Sequence, residues 1–292
     1  QDTARLELEI PWVSFTFGLP AKPAFRTLAE ASLPVVLTRW EVDGVRVEQT
    51  AFASALNRAQ AEGPLPAGDA FTVFLARFSF TNPTAEPRTA TLPLSYKTGD
   101  EIILLRADAE GRLWNGEKLR GQYVADATPV ADQDQLKWSW ILAPGESRQV
   151  VLKIPYVILT ETAERAALHK LAFDRELAAV TSYWRRRLDQ SAKLITPEPM
   201  LNEFYRSHAM HLLVNCEREP GSDRRFARVG SFSYGAYGNE SCMMVVDLDR
   251  RGYHQEAQDC LDAWLHYQGT VALPGSFASK AGVLYGAGGY ES

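Results

Sequence analysis

The stretch VVLTRWEVDGVRVE, residues 35–48, carries the clearest structural signal in the first half of this chain. Two runs rich in β-branched and aromatic residues flank the dipeptide Asp43-Gly44. An Asp-Gly loop is a preferred connection of a tight β-hairpin, because both residues of a type I′ turn take positive φ angles. The stretch therefore predicts two antiparallel strands with Asp43-Gly44 at the tip.

Further short runs of strand-forming residues extend this pattern as far as residue 158. Within residues 71–80 apolar side chains recur at every second position, which predicts one buried face. These side chains are Phe74, Ala76, Phe78 and Phe80. The other predicted strands cover residues 89–96, 101–106, 137–142 and 149–158, with a turn at 143–146. Many short strands at this spacing predict an antiparallel β-sandwich over residues 1–159.

The hydrophobic period changes to that of helices after Thr160. Residues 161–188 contain no Gly or Pro, which predicts one long helix capped by Thr160 or Thr162, within a linker of residues 160–195. Three more helices are predicted: one opened by the segment TPEP at 196–199, one over 239–250, and a partner that follows it after Gly252. The sequence thus predicts an α+β multidomain protein with a partial helical domain over residues 196–292.

Composition and charge exclude several classes of protein. With 46% hydrophobic and 23% charged residues, the chain is typical of a folded globular protein and not of a disordered chain, collagen or a coiled coil. The net charge of −5 gives no general attraction to nucleic acid or anionic lipid. Charged residues interrupt every long apolar run, so no membrane-spanning helix is expected. The first residue is Gln1 and not Met, from which we expect that an upstream segment has been removed.

The cysteines and histidines give little indication of a metal or disulfide framework. Cys216, Cys242 and Cys260 include no Cys-x-x-Cys pair, and Cys242 and Cys260 are predicted to be buried thiols on adjacent helices. His208 and His211 are interpreted as surface or packing residues.

Charged residues in the helical half are interpreted as structural. Asp247 and Asp249 are expected to pair with Arg250 and Arg251 at a helix end, and the arginines at 185–187 to form a solvated helix face.

The segment YGAYGNES, residues 234–241, is the most informative candidate for function. Its aromatic and carboxylate side chains could present a ring face and hydrogen-bond acceptors to a sugar, with Tyr234, Tyr237, Asn239 and Glu240 as the binding residues. The structural alternative is that Asn239 caps the following helix and Glu240 complements its dipole.

The glycine-rich segment 285–291 is a second candidate. It lacks the Gly-x-Gly-x-x-Gly spacing of a dinucleotide site. It is interpreted either as a sugar-facing loop that offers Tyr285, Tyr290 and Glu291, or as a plain helix connection.

The chain resembles the six-hairpin glycosidase superfamily, in its overall layout and most specifically from Tyr183-Trp184 to Glu291. The resemblance implies a β-supersandwich, a linker helix and an (α/α)6 toroid. Glucoamylase-like members carry a Tyr-x-Trp-x-Arg-Asp loop, in which the Arg-Asp pair holds hydroxyls of the sugar that is cleaved. Tyr237, Asn239 and Glu240 stand at the matching Trp, Arg and Asp positions, so the carboxylate is kept and the cation is lost.

The expected function is therefore that of the N-terminal part of a glycoside hydrolase acting on an oligosaccharide or glycoside. The resemblance implies that the catalytic carboxylates lie beyond residue 292, so no catalytic residue is assigned, and no cofactor or metal is expected. The alternatives are a non-catalytic carbohydrate-binding protein of the same fold and, third, a polysaccharide lyase. The expected partner is a carbohydrate, with no nucleic acid and no membrane, and the family habit indicates a secreted or periplasmic location.

Overall fold

The computed structural model describes residues 13–57, 71–218, 222, 224–228, 237–270, 279 and 281–284. The chain divides into two units. One consists of Asp2–Ala29 and Pro34–Thr181, and the other of Gln1, Glu30–Leu33 and Ser182–Ser292. The described part of the first unit is mainly strand and that of the second mainly helix.

The first unit contains two antiparallel sheets. Their strands are β1 (Val13–Thr16), β2 (Phe25–Ala29), β3 (Leu33–Val42), β4 (Val45–Ala55), β5 (Thr72–Thr81), β6 (Arg88–Thr98), β7 (Glu101–Ile103), β8 (Arg106–Ala107), β9 (Arg112–Asn115), β10 (Lys118–Ala125), β11 (Val130–Asp132), β12 (Gln135–Leu142) and β13 (Ser147–Pro155). The smaller sheet has the order β1-β6-β12-β11, with β7 also paired to β6. The larger has the order β2-β3-β4-β5-β13-β10-β9-β8. Large antiparallel sheets followed by helices confirm the α+β class.

The predicted hairpin is present with the expected register. β3 and β4 are antiparallel, and Val42 pairs with Val45 across the tip. Asp43 and Gly44 have φ angles of 52° and 80°, so both central residues are left-handed, as a type I′ turn requires. The local turn chemistry therefore determined this pairing.

One hydrophobic core receives side chains from both sheets, which gives the unit a sandwich-like arrangement. Phe78 of the larger sheet and Trp138 of the smaller are both completely buried in it. Trp138 meets the ring of Tyr123 edge to face, with centroids 5.1 Å apart. Aromatic contacts of this kind add about 1 kcal/mol to the burial of the rings.

The outer face of the larger sheet is also buried, which corrects the prediction for β5. Val73 and Leu75 are fully buried in a second cluster, on the face opposite to Phe78. Phe74 was predicted to be buried but is 37% exposed. The buried face changes along β5: Val73 and Leu75 are buried in the second cluster near its start, whereas Ala76, Phe78 and Phe80 are buried in the first cluster on the opposite face.

The segment 101–106 was predicted to be one strand and is two. Glu101–Ile103 forms β7 in the smaller sheet, whereas Arg106–Ala107 forms β8 at the edge of the larger sheet. No strand was predicted over β10. This strand contains Gly121, and its ladder with β9 is interrupted by a bulge between Leu119 and Gly121.

The predicted long helix is divided into α1 (Thr162–Lys170) and α2 (Phe173–Asp189). Glu161, and not either threonine, is the N-cap residue, and its backbone N–H donates to the Glu164 carboxylate at 3.0 Å. The break follows from anchoring in the second cluster, where Leu171 and Phe173 are both buried. In a continuous helix, side chains two residues apart point in nearly opposite directions, so Leu171 and Phe173 could not both reach this cluster.

Lys153 satisfies the end of α1. Its buried Nζ donates to the carbonyl oxygens of Leu168 at 3.1 Å and His169 at 2.8 Å. The Leu168 carbonyl also accepts from the Leu171 N–H at 3.3 Å, and a cation at a helix C-terminus is favourable. Burial lowers the pKa of Lys153 to about 8.

The second unit contains α3 (Pro199–Val214), β14 (Cys216–Arg218), β15 (Arg225–Ala227), α4 (Gly238–Arg250) and α5 (His254–Tyr267). Pro199 stands at the start of α3, as predicted. The preceding turn is held by Asn202, whose Oδ1 accepts from the Thr196 backbone N–H at 2.8 Å. β14 and β15 form an antiparallel pair.

Gly252 joins α4 to α5 in the predicted tight helical hairpin. Its φ of 89° lies in the left-handed region, where glycine carries no steric cost. Arg251, just before it, donates from Nε to Asp247 Oδ2 at 3.0 Å and from Nη1 to the Tyr205 carbonyl at 2.6 Å. The predicted ion pair at this helix end is confirmed for Asp247 and Arg251.

Candidate functional site

The candidate sugar-binding segment ends at the N-terminus of α4. The helix begins at Gly238, and Tyr237 is its N-cap residue without a side-chain cap hydrogen bond. The Ser241 N–H donates to the Tyr237 carbonyl at 2.8 Å, which closes the first turn. Asn239 lies inside this turn and is exposed, so the structural reading in which Asn239 caps the helix was wrong.

The first turn of α4 is fixed on the strand β15. Ser241 is fully buried, and its Oγ donates to the Ala227 carbonyl at 2.5 Å. Ala227 in turn pairs with Cys216 in the β14–β15 hairpin. A buried hydroxyl with its hydrogen bond made holds the helix start in one position, because breaking the bond would leave a desolvated polar group.

An open cavity of about 440 Å³ lies beside this turn. Asn239 and Cys242 of α4 line it, together with Leu261, Trp264 and Leu265 of α5. Gly238 and Leu284 complete the described lining.

The Trp264 indole forms one wall of the cavity, and the Asn239 side chain supplies an amide. Trp264 is 6% exposed, and the ring of Phe226 lies edge-on to it with centroids 6.3 Å apart. A largely apolar depression with an indole and a polar group at its rim can accept a ligand that has both an apolar face and hydroxyl groups.

The structure brings together only part of the predicted site. Asn239 lines the cavity, whereas Tyr237 is half-buried next to it and Glu240 is exposed and not part of the lining. Tyr234, Tyr285 and Glu291 lie outside the described residues. Glu240 does stand in the first turn of α4, where a carboxylate complements the helix dipole.

The sequence analysis did not assign the α5 wall of the cavity, although a signal for it exists. Leu261, Trp264 and Leu265 recur at helical spacing on the second helix of the hairpin. Asn239 and Leu265 stand equally far along the chain from Gly252. In an antiparallel helical pair such residues lie opposite each other, so this neighbourhood could have been inferred.

The histidine and cysteine predictions have mixed outcomes. His208 is part-exposed, and its Nδ1 lies 3.2 Å from Arg251 Nη2 and 3.3 Å from Asp247 Oδ2, as expected of a surface or packing residue. Cys260 is buried as predicted, but Cys242 is exposed. The prediction for Cys242 failed because its position faces the open cavity and not the interior of the hairpin.

Comparison with protein-family models and with curated proteins gives no match for this chain. In the part of the chain that the structure describes, no group of three or more His, Cys, Asp or Glu residues could hold a metal ion. None of the helices within the described ranges has both the length and the apolar character that a membrane crossing requires.

Proposed function

We propose that this chain binds a carbohydrate at the N-terminus of α4, as the N-terminal part of a glycoside hydrolase with the six-hairpin layout. The observation that carries the proposal is the cavity walled by Trp264 and rimmed by Asn239. A sugar ring has an apolar C–H face and hydroxyls around its edge. The indole would meet the face, and the Asn239 amide would exchange hydrogen bonds with a hydroxyl.

Exposed apolar residues on the helical hairpin support the toroid part of the proposal. Met243 and Val246 of α4, which lie outside the cavity lining, are each about half exposed or more. In an (α/α)6 toroid each helical hairpin packs against neighbouring hairpins, which would cover such side chains. In this proposal α4–α5 is one hairpin of that ring, and the sheets of the first unit form the supersandwich.

A second candidate, a non-catalytic carbohydrate-binding protein, is favoured by one observation. None of the described residues that line the cavity has a carboxylate. Glycoside hydrolysis by acid–base catalysis needs two carboxyl groups flanking the scissile bond. Under either candidate, the part played by this cavity is recognition of a sugar.

The test is binding of a panel of neutral oligosaccharides and aryl glycosides, measured by saturation-transfer NMR and by tryptophan fluorescence. Asn239→Ala is expected to weaken binding about 5-fold, which corresponds to one neutral hydrogen bond of about 1 kcal/mol. Gln258→Ala removes an exposed amide of α5 outside the cavity lining and serves as the matched control. Equal affinities for both variants, or no binding to any sugar of the panel, would contradict the proposal.

Release of reducing sugar from the same panel separates the two candidates. Turnover supports the hydrolase, and binding without turnover supports the non-catalytic protein. Glu240→Gln keeps the shape of the side chain and removes its charge. Unchanged binding and turnover in this variant would exclude Glu240 from the site and leave Asn239 in it.

A further inference from the structure

A second open cavity lies in the first unit, beside the end of β10. Its volume of about 400 Å³ is within the range of small-molecule sites. Three segments line it: the turn between β8 and β9, the end of β10 with the residues that follow it, and His169 in the last turn of α1. This cavity, hereafter the β10 groove, takes no part in the proposed function.

The amide of Gln122 is built into the wall of the groove. Gln122 is 3% exposed, and its Nε2 donates to the Glu110 carbonyl at 2.9 Å. The same nitrogen lies 2.9 Å from His169 Nδ1. The Glu110 carbonyl can only accept, which fixes the amide nitrogen on this side, so the second N–H of Gln122 goes to Nδ1. Because Glu110 and His169 both line the groove, the amide lies between two parts of its wall.

Two hydrogen-bonding atoms at this place are left for a ligand. Both N–H groups of Gln122 are used, but no residue that the structure describes donates to its Oε1. His169 Nδ1 accepts, so the neutral ring carries its proton on Nε2, and no described residue accepts from that nitrogen. Ligand hydroxyls can therefore donate to Oε1 and accept from Nε2 without breaking a hydrogen bond within the protein.

Backbone contacts hold the walls of the groove in place. The Tyr123 N–H donates to the Gly111 carbonyl at 2.8 Å. Gly111 has a φ of 74°, and a β-carbon there would lie 2.5 Å from the Tyr123 carbonyl oxygen, so glycine lets the turn approach β10. The His169 carbonyl accepts from the buried Lys153 Nζ at 2.8 Å. Little of the binding free energy is therefore lost in ordering the protein around a ligand.

The charges at the groove are already paired. Glu110 Oε2 lies 3.1 Å from Arg112 Nη1, and Asp126 Oδ2 lies 3.0 Å from Arg148 Nε. Asp126 Oδ1 also accepts from Trp140 Nε1 at 3.1 Å. Each carboxylate thus has its own cation, so the groove offers no unpaired charge to an ionic ligand and favours a neutral one.

Small apolar side chains make up another part of the lining. Val124 is 54% exposed in it, and Ala109, Ala125 and Ala127 lie beside it in the same lining. The groove therefore combines an apolar surface with one hydrogen-bond acceptor and one donor. A sugar ring has the same combination, because its C–H face is apolar and its hydroxyls both donate and accept.

We propose that the β10 groove binds a neutral sugar ring. Its hydroxyls meet Gln122 Oε1 and His169 Nε2, and its C–H face packs on Val124 and the three alanines. This site goes beyond the proposed function and does not depend on it, because the groove belongs to the first unit and the cavity beside α4 to the second.

The test is methyl NMR of the full chain, labelled at the alanine methyl groups and titrated with glucose, galactose and cellobiose. The signals of Ala109, Ala125 and Ala127 should shift saturably with at least one of these sugars, with a dissociation constant on the order of 1 mM for a ligand of this size. Asn239→Ala changes the cavity beside α4 and should leave these shifts as they are. Occupation of the groove is thereby measured separately from the proposed function.

Val124→Arg blocks the groove from an exposed position and leaves the buried residues untouched. The long charged side chain should weaken binding at least about 10-fold, because it occupies the surface on which the sugar packs. Val130→Arg is the matched control, since Val130 is 69% exposed and lies outside the lining. Circular dichroism checks that both variants are folded.

Two further variants test the polar contacts. His169→Phe keeps a ring and removes the donor, and it should weaken binding about 5-fold, the effect of one neutral hydrogen bond. Lys170→Ala, at the next exposed position and outside the lining, should have no effect. Gln122→Met removes the acceptor and should weaken binding by a similar factor; if this buried variant fails to fold, Val124→Arg and His169→Phe still decide.

Three results would overturn the proposal. The first is the absence of saturable shifts at the three alanines with all of the sugars. The second is equal affinity of Val124→Arg and Val130→Arg, or of His169→Phe and Lys170→Ala. The third is loss of the shifts in Asn239→Ala, which would show that they report binding beside α4.

Discussion

Asp108 holds the loop between β8 and β9, and its replacement by Asn gives a measurable test of the electrostatics. Oδ1 accepts hydrogen bonds from the backbone N–H groups of Glu110 at 3.0 Å and Arg112 at 2.9 Å. Oδ2 accepts from Arg112 Nε at 2.7 Å and Trp114 Nε1 at 2.9 Å. Asp108→Asn keeps the first acceptor and turns the second into an NH₂ group that faces two donors.

The size of the effect follows from the pKa of Asp108. Burial acts to raise the pKa, but the hydrogen bonds from Trp114 and Arg112 outweigh burial and lower it from 3.8 to about 2. The side chain is only 17% exposed, so solvent screening reduces the interaction little. The lowered pKa corresponds to about 2 kcal/mol of stability when the carboxylate is ionised.

The sign of the pH dependence is that of a carboxyl group whose pKa is lower in the folded state. Its contribution is fully present above the unfolded pKa of 3.8 and is lost as the pH falls through the folded pKa of about 2. Asp108→Asn should therefore reduce the free energy of unfolding by about 2 kcal/mol at pH 7 and by roughly half of that at pH 3.

Urea unfolding followed by tryptophan fluorescence at several pH values between 3 and 7 measures this difference. Asp100→Asn is the control, because Asp100 is fully exposed in its ion pair with Lys97. This control should cost less than about 0.5 kcal/mol at every pH. A cost for Asp108→Asn that is the same at pH 3 and pH 7, or no larger than that of the control, would refute the reasoning.

Three further predictions concern buried polar groups. Glu256→Gln removes the buried carboxylate that pairs with the Arg187 guanidinium; the Glu256 side chain is 8% exposed, and the change should lower the free energy of unfolding in urea by about 3 kcal/mol. The double variant Arg187→Met, Glu256→Met should recover most of this loss. A double variant at least as destabilised as Glu256→Gln would contradict the prediction. Burial lowers the pKa of Lys153 from 10.5 to about 8, so between these pH values the unfolded chain binds more protons than the folded chain. The free energy of unfolding should therefore rise from pH 8 to pH 10 relative to that of Lys153→Met. Parallel pH curves for the two proteins would show this reasoning to be wrong. Asn82 is completely buried and donates from Nδ2 to the Glu86 and Leu142 carbonyls at 2.8 and 2.9 Å, so Asn82→Ala should cost about 2–4 kcal/mol in thermal unfolding, and a cost below about 1 kcal/mol would count against its role.

Local chemistry determined the parts of the fold that the sequence predicted well. The Asp43-Gly44 turn, the proline that opens α3 and Gly252 between α4 and α5 each impose a backbone conformation that few other residues allow. Phe74 and the long helix were predicted wrongly for a different reason. The helix break depends on the second hydrophobic cluster, and Phe74 lies where the buried face of β5 changes from that cluster to the first; both clusters are made by residues distant in sequence, which no local pattern indicates.

In the candidate site, too, some residues are indicated by their own segment and others only by contacts between segments distant in sequence. Asn239 was predicted as a site residue from its own segment, an amide close to a helix N-terminus and to aromatic residues, and it does line the cavity. The place of Trp264 in the cavity wall could not be predicted in this way, since it arises where α5 and β15 come together.

The β14–β15 hairpin explains why these long-range features occur at one place. The Ala227 carbonyl accepts from Ser241 of α4, and Phe226 beside it packs its ring edge-on to Trp264 of α5, so one strand contacts both helices. The same two helices, between their fixed ends and the Gly252 turn, form the cavity with Asn239 on one side and Trp264 on the other. Because the hairpin and the cavity share this support, an event that stiffens the hairpin also stiffens the cavity wall.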